Sequence, residues 1–215
     1  MCFSASASFG AAALLGAVGV ATLAQKPERK RLAFALIPLF FASHQLIEGF
    51  VWLTIAGGAP PEGLVIAYLL LAQVFWPAYT PFSVLLMEND PRRRLALWLL
   101  FAVGLMVSAA LATILFTNEY SVRVVRHSLQ YATDHQFEDR LLGLYLVAVA
   151  APLLISRHRY VIAFGGVILA GSMVTQLVFY YAAASVWCFF AAVASVFVFL
   201  HIRRQNRLRG ATQSR

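Results

Sequence analysis

The chain has 215 residues, 61% of them hydrophobic and only 12% charged, and its mean hydropathy is +0.76. That balance excludes an ordinary soluble globular domain. The net charge of +8 taken alone would suit a nucleic-acid partner, but the basic residues stand in short clusters beside apolar runs, where orientation in a bilayer accounts for them better.

The length leaves room for about seven spans of roughly 20 residues each. The expected fold is all-α: a single domain over 1–215, built as a polytopic transmembrane bundle of seven helices with the N-terminus outside and the C-terminus cytoplasmic. No basic stretch precedes the first apolar run, so a cleaved secretory signal is not expected. The first span is predicted at about 9–24, with Ala12, Gly16 and Gly19 near one face, where another helix can approach closely. Lys26, Arg29, Lys30 and Arg31 follow and mark a cytoplasmic loop.

The second span, about 32–56, runs outwards and carries the chain's most unusual group. His44 and Glu48 are four apart and share a helical face with Phe41, Gln45 and Trp52. An acidic side chain near mid-bilayer costs on the order of 3 kcal/mol, so this face is expected to turn inwards. The third span, about 64–87, contains Gln73, Trp76, Pro77 and Pro81. Each proline lacks an N–H, so the carbonyls of Gln73 and Pro77 lose their helical donors, and a kink is expected there.

Arg92, Arg93 and Arg94 mark a second inner loop, and the span at about 95–116 reads as scaffold. The long external loop, 117–140, is either a lid or binding element or disordered. Its residues 120–124 partly alternate, and its His127, His135 and Asp139 match no zinc spacing. A fifth span at about 141–155 ends in Arg157, His158 and Arg159. The sixth, about 161–181, has Gly166 and Ala170 in small-xxx-small spacing and Ser172, Gln176 and Tyr180 four apart. The seventh, about 185–202, opens with Trp187 and Cys188 and leads into a basic cytoplasmic tail at 203–215. On this topology 14 of the 17 Lys and Arg residues are inside, which fixes the expected orientation.

Projected by depth, Glu48, Gln73, Trp76, Gln176, Tyr180, Trp187 and Cys188 fall between the midplane and the outer surface, suggesting an outward-facing pocket completed by His44, Gln45 and Trp52. Two readings of Glu48 stand side by side: the centre of a solute, ion or proton site, or an internal hydrogen bond, to Gln73 or Tyr180, that fixes helix packing. Cys2 and Cys188, both expected outside, leave three readings open: a disulfide, two free thiols, or thiolate ligands to a soft metal completed by His44 or Glu48. The seventh span has no lysine for a retinal Schiff base, and no HxxxH, Walker, Rossmann or GxSxG pattern occurs.

The opening Met-Cys-Phe-Ser-Ala-Ser-Ala-Ser-Phe, the run Glu48-Gly49-Phe50-Val51-Trp52, and the run from Ser185 to Ala191 resemble a family of small bacterial multi-pass membrane proteins with a Met-Cys-Phe-Ser-Ala signature, classed only as a domain of unknown function. The likeness spans nearly the whole chain, and its first motif is the most specific. It favours Glu48, Trp52, Cys2, Trp187 and Cys188 as site positions; relatives can have Gln in place of His44, which weakens that residue as an essential group. The resemblance implies a bacterial inner-membrane location and carries no activity or cofactor. The function expected is binding or transport of a small solute or ion through the Glu48 pocket, with the lipid bilayer as the one partner implied. The alternative is a membrane-embedded metal-dependent or thiol redox enzyme using Cys2, Cys188, His44 and Glu48.

Overall fold

Seven helical rods and one β-hairpin make up a computed structural model that describes residues 4–213 except 56, 126–127, 134–138 and 179–182; for 132–133, 139–140, 176, 178, 183–189, 191–192 and 210–213 it describes the backbone only. Helix α1 (Ala5–Ala24) begins where Ser4 Oγ accepts from the Ala7 N–H at 3.2 Å, satisfying one of the free donors of the first turn. It stops at Lys26, whose φ of 51° leaves the helical region just before Pro27. The second rod is α2 (Arg29–Ala35) followed by α3 (Ile37–Ile55). The joint at Leu36 lies just ahead of Pro38, which has no N–H to offer the Phe34 carbonyl.

The third rod is α4 (Glu62–Leu69), a π-helical turn over Leu70–Phe75, and α5 (Trp76–Leu85). The disturbance expected at Pro77 and Pro81 is thus taken up one turn upstream, by widening the helix rather than by a simple kink. Neighbouring helices meet the acceptors of this stretch. The Tyr145 hydroxyl donates to the Ala72 carbonyl at 2.8 Å and the Ser108 hydroxyl to the Val74 carbonyl at 2.6 Å. The Pro77 carbonyl faces Gly104, where an added Cβ would lie 2.8 Å from the carbonyl carbon. Only glycine allows α6 (Pro91–Thr117) to approach α5 so closely there.

After α6 the chain forms an antiparallel hairpin, β1 (Tyr120–Val125) and β2 (Ser128–Thr133), with Val122 opposite Tyr131. The long loop is therefore built around ordered structure. Helices α7 (Asp139–Leu154), α8 (Arg159–Val178) and α9 (Ala183–Gln213) complete the chain. Helix α9 continues into the basic tail as far as Gln213. Helix α1 packs chiefly on α3, α5 on α6 and α7, and α9 on α8, α1 and α3.

The main core gathers Phe34, Phe41, Trp76, Leu97, Leu153 and Phe164, and a smaller one sets Val65, Tyr68, Leu69 and Leu115 beneath Tyr120, Val122 and Tyr131 of the hairpin. Close packing at small residues departs from the expected faces. Gly19 meets Leu39 as foreseen, but Gly16 and Gly166 face open space, and the tight approaches in α8 are Gly165 on Leu153 and Gly171 on Phe190. Spacing alone does not say which side of a helix its neighbour occupies. Four helical stretches, Ala5–Ala24, Arg29–Ile55, Glu62–Leu85 and Pro91–Thr117, are long and apolar enough to cross a membrane, and two shorter apolar helices follow at Leu141–Leu154 and Arg159–Thr175.

Candidate functional site

Helix α3 presents its polar residues to the interior. His44 and Glu48 are fully buried and Gln45 is 2% exposed, while Leu46, Phe50 and Leu53 on the other side are exposed, as residues that face lipid are. The i, i+3 spacing lets the Gln45 amide Nε2 donate to Glu48 Oε2 at 3.2 Å. A second donor comes from α4, where the Tyr68 hydroxyl reaches Glu48 Oε1 at 3.5 Å, a long bond that leaves room for adjustment. Glu48 therefore has a donor on each carboxyl oxygen, one from its own helix and one from the next rod.

Tyr68 also organises the rings. His44 stacks on it with centroids 4.3 Å apart and planes at 23°. Tyr131 of β2 stacks on it at 4.3 Å and 12°. The three rings run from the buried face of α3 to the hairpin, so the hairpin's seat and the Glu48 site share one residue. Among the described residues neither His44 Nδ1 nor Nε2 makes a hydrogen bond of ordinary geometry, although both are buried; a looser contact runs to the Tyr68 backbone. A fully buried imidazole without a well-formed hydrogen bond is costly, so this position calls for an explanation beyond ordinary core packing.

The expected pocket residues divide three ways. Glu48, His44 and Gln45 come together. Trp76 is buried in the main core, its ring stacked on Phe41 at 4.3 Å and 20°, one helical turn from His44; Trp52 is half-buried on the α3 face, with its Nε1 unpartnered. Gln73 is half-buried in the π turn; of the two partners considered for Glu48, Gln73 and Tyr180, the second lies outside the described residues, and Tyr68 is a donor that the sequence did not single out. Cys2 and Tyr180, and the side chains of Gln176, Trp187 and Cys188, lie outside the described residues. Among the described residues no cluster of three or more His, Cys, Asp or Glu could hold a metal.

Two site residues escaped the sequence reading. Tyr68 sits in the apolar run Leu64–Leu71, where a lone tyrosine looks like core, and Tyr131 lies in the second hairpin strand. The only sequence signal for either was the partial alternation at 120–124, which pointed to the first strand.

The frame that brings these residues together, from the first residue through the last helix, matches a single sequence family over residues 1–213. The chain belongs to DUF6629, a family of unknown function. The DUF6629 match covers the α3 face, the hairpin and α9 alike, so the site lies within the family's common frame. No curated protein and no solved structure matches this DUF6629 chain.

Proposed function

We propose that this DUF6629 protein is a multi-pass protein of the bacterial inner membrane, N-terminus out and C-terminus in, that binds or passes a small solute or ion through a polar pocket centred on Glu48. The observation that supports the reading is the fully buried His44, whose ring nitrogens make no hydrogen bond of ordinary geometry among the described residues, beside a buried carboxyl held by Gln45 and Tyr68. Packing alone explains Glu48, whose oxygens both have donors. It does not explain an imidazole left unsatisfied one turn away. Glu48 is the charged or proton-exchanging group in this reading, and Tyr131 covers it from the outer side.

The same unmet imidazole supports the second reading, a metal-dependent or thiol redox enzyme, because neutral imidazole nitrogens are common metal ligands. Native mass spectrometry with elemental analysis, on protein purified in mild detergent, separates the two. A retained solute on a metal-free chain supports binding or transport, and a stoichiometric metal supports the enzyme. Proteoliposomes loaded with a pH-sensitive dye then report proton flux. Glu48→Gln is expected to fold normally and to lose the retained solute or the flux; loss of folding with neither solute nor flux in the parent protein overturns the proposal in favour of packing.

A further inference from the structure

The end of the bundle opposite the hairpin holds a second polar assembly, built from residues far apart in sequence. Glu28, at the N-cap of α2, is ion-paired to Arg31 at 2.7 Å, to Arg209 of α9 at 3.1 Å and to Lys30 at 3.5 Å. Arg31 Nη2 also donates to Gln205 Oε1 at 3.2 Å. This fixes the Gln205 amide, because its oxygen faces Arg31 and its NH2 must point the other way. There it lies 3.4 Å from His158 Nδ1, in the connection between α7 and α8. An amide NH2 can only donate, so His158 Nδ1 must be the unprotonated acceptor. The Asn206 amide donates to the Gln25 carbonyl at the end of α1, and His158 also packs on His201 of α9 with ring centroids 4.8 Å apart.

From this geometry we propose that His158 is a proton-binding site that controls how firmly the basic end of α9 is held against α1 and α2. A proton on Nδ1 sets one donor against another. Rotating the Gln205 amide to offer its oxygen to His158 turns its NH2 towards the Arg31 guanidinium, so the relay breaks at one link or the other. The charged groups around His158 oppose one another: Arg31 from α2, Arg157 from its own connection and Arg204 from α9 repel a proton, while Glu88, between α5 and α6, attracts one and does not outweigh them. Glu88 Oε1 already accepts from the Asn89 and Asp90 N–H groups. His201, the other titratable group in contact, stacks edge-on to Phe34, is 1% exposed and has its Nε2 unpartnered.

Burial, followed by these arginines, lowers the pKa of His158 below its ordinary value. The sign follows: the latched form has the depressed pKa, so latching is complete above the pKa of the free group, near 6.5, and weakens as pH falls below it. Two links remain after protonation, Arg209 to Glu28 and Asn206 to Gln25, so α9 loosens rather than detaches.

Hydrogen exchange of residues 203–209, measured on the full chain in nanodiscs and corrected for the intrinsic pH effect, tests this. Between pH 7.5 and 5.5 wild-type protection is expected to fall by up to about tenfold, the limit set by one proton on a group of pKa about 6.5 in the open form. His158→Gln, which stays neutral and can accept from Gln205, is expected to stay protected at both pH values, and His158→Lys to be unprotected at both. Unchanged protection in wild type overturns the proposal, and this arm needs no variant to fold. A fall that persists in His158→Gln, or that vanishes in His201→Gln, also overturns it by moving the proton elsewhere.

Discussion

Removing Tyr131 is the sharpest probe of the idea that the hairpin covers the Glu48 site. In Tyr131→Ala the ring stacked on Tyr68 at 4.3 Å and 12° is lost, while Val122, Tyr120 and the strand register remain. A parallel aromatic pair is worth about 0.5–1.5 kcal/mol beyond its buried area, and a half-buried side chain of this size adds about 1 kcal/mol. The hairpin should therefore open more easily by about 1.5–2.5 kcal/mol, a factor of roughly 10–70 in its opening equilibrium. Amide exchange resolved to 120–125 and 128–131 reads this directly. Val124→Ala, an exposed position on the same hairpin, should change it little. Exchange faster by that factor in the hairpin but not in α6 or α9 supports a cover that opens on its own. Unchanged exchange, or a uniform rise across the bundle, refutes it: the first means that Tyr131 does not hold the hairpin, the second that the hairpin is part of the global fold.

Three further outcomes follow from particular contacts. Gly104→Ala should destabilise the protein by about 2–4 kcal/mol in denaturant titration, since the new Cβ meets backbone at Pro77 rather than a flexible side chain and forces α5 from α6, weakening the Ser108–Val74 bond; Gly16→Ala, facing open space, should be neutral or stabilising by up to about 1 kcal/mol. Tyr145→Phe leaves the Ala72 carbonyl of the π turn without its donor and should cost about 1–3 kcal/mol in the same titration. For Glu28, burial favours the neutral acid, but Arg31, Lys30 and Arg209 together hold its pKa below 4.5. Its stabilisation is therefore full above about pH 4.5 and lost as pH falls through the lower folded value, so Glu28→Gln should melt below wild type at about pH 7 and the gap should close as pH falls below 4.5, whereas melting profiles that stay parallel through that range would show no role for the carboxylate.

How much of this was legible in the sequence depended on sequence separation. The inward turn of the face with His44, Gln45 and Glu48 follows from helical spacing and the cost of placing a carboxyl in lipid, and was readable from one segment; the Glu48–Gln45 bond was not named, although the same spacing allows it. The seven rods were readable for the same reason, each being one long apolar run. Tyr68 was not, because its role depends on which rod lies beside α3, and an apolar run with one tyrosine looks the same facing a carboxyl or facing a core. The prolines of the third rod announced lost hydrogen bonds, but not that a π turn upstream would take up the change or that Ser108 and Tyr145 would supply donors. The assembly joining Arg31 to Gln205 spans 174 residues, and at that separation basic residues beside a span announce only which side of the membrane they occupy.

The two polar assemblies stand on one piece of structure. Arg31, which sets the Gln205 amide, and Glu48, which anchors the ring ladder, lie on the rod formed by α2 and α3, about 25 Å apart along the helix. Between them lie Phe34, which touches His201, the joint at Leu36, and Phe41, whose ring lies on Trp76. A rod with a joint near its Arg31 end and aromatic rings packed on both sides of it bends there more easily than an unbroken helix of the same length. On the proposal that His158 takes a proton, the joint at Leu36 is where the basic end would rearrange without pulling Glu48 from Gln45 and Tyr68. Filling it, with Pro38→Ala, restores the missing donor to the Phe34 carbonyl and should make exchange at the Glu48 end of α3 follow the pH dependence of the tail, whereas independence of the two ends in that variant would show that the joint does not separate them.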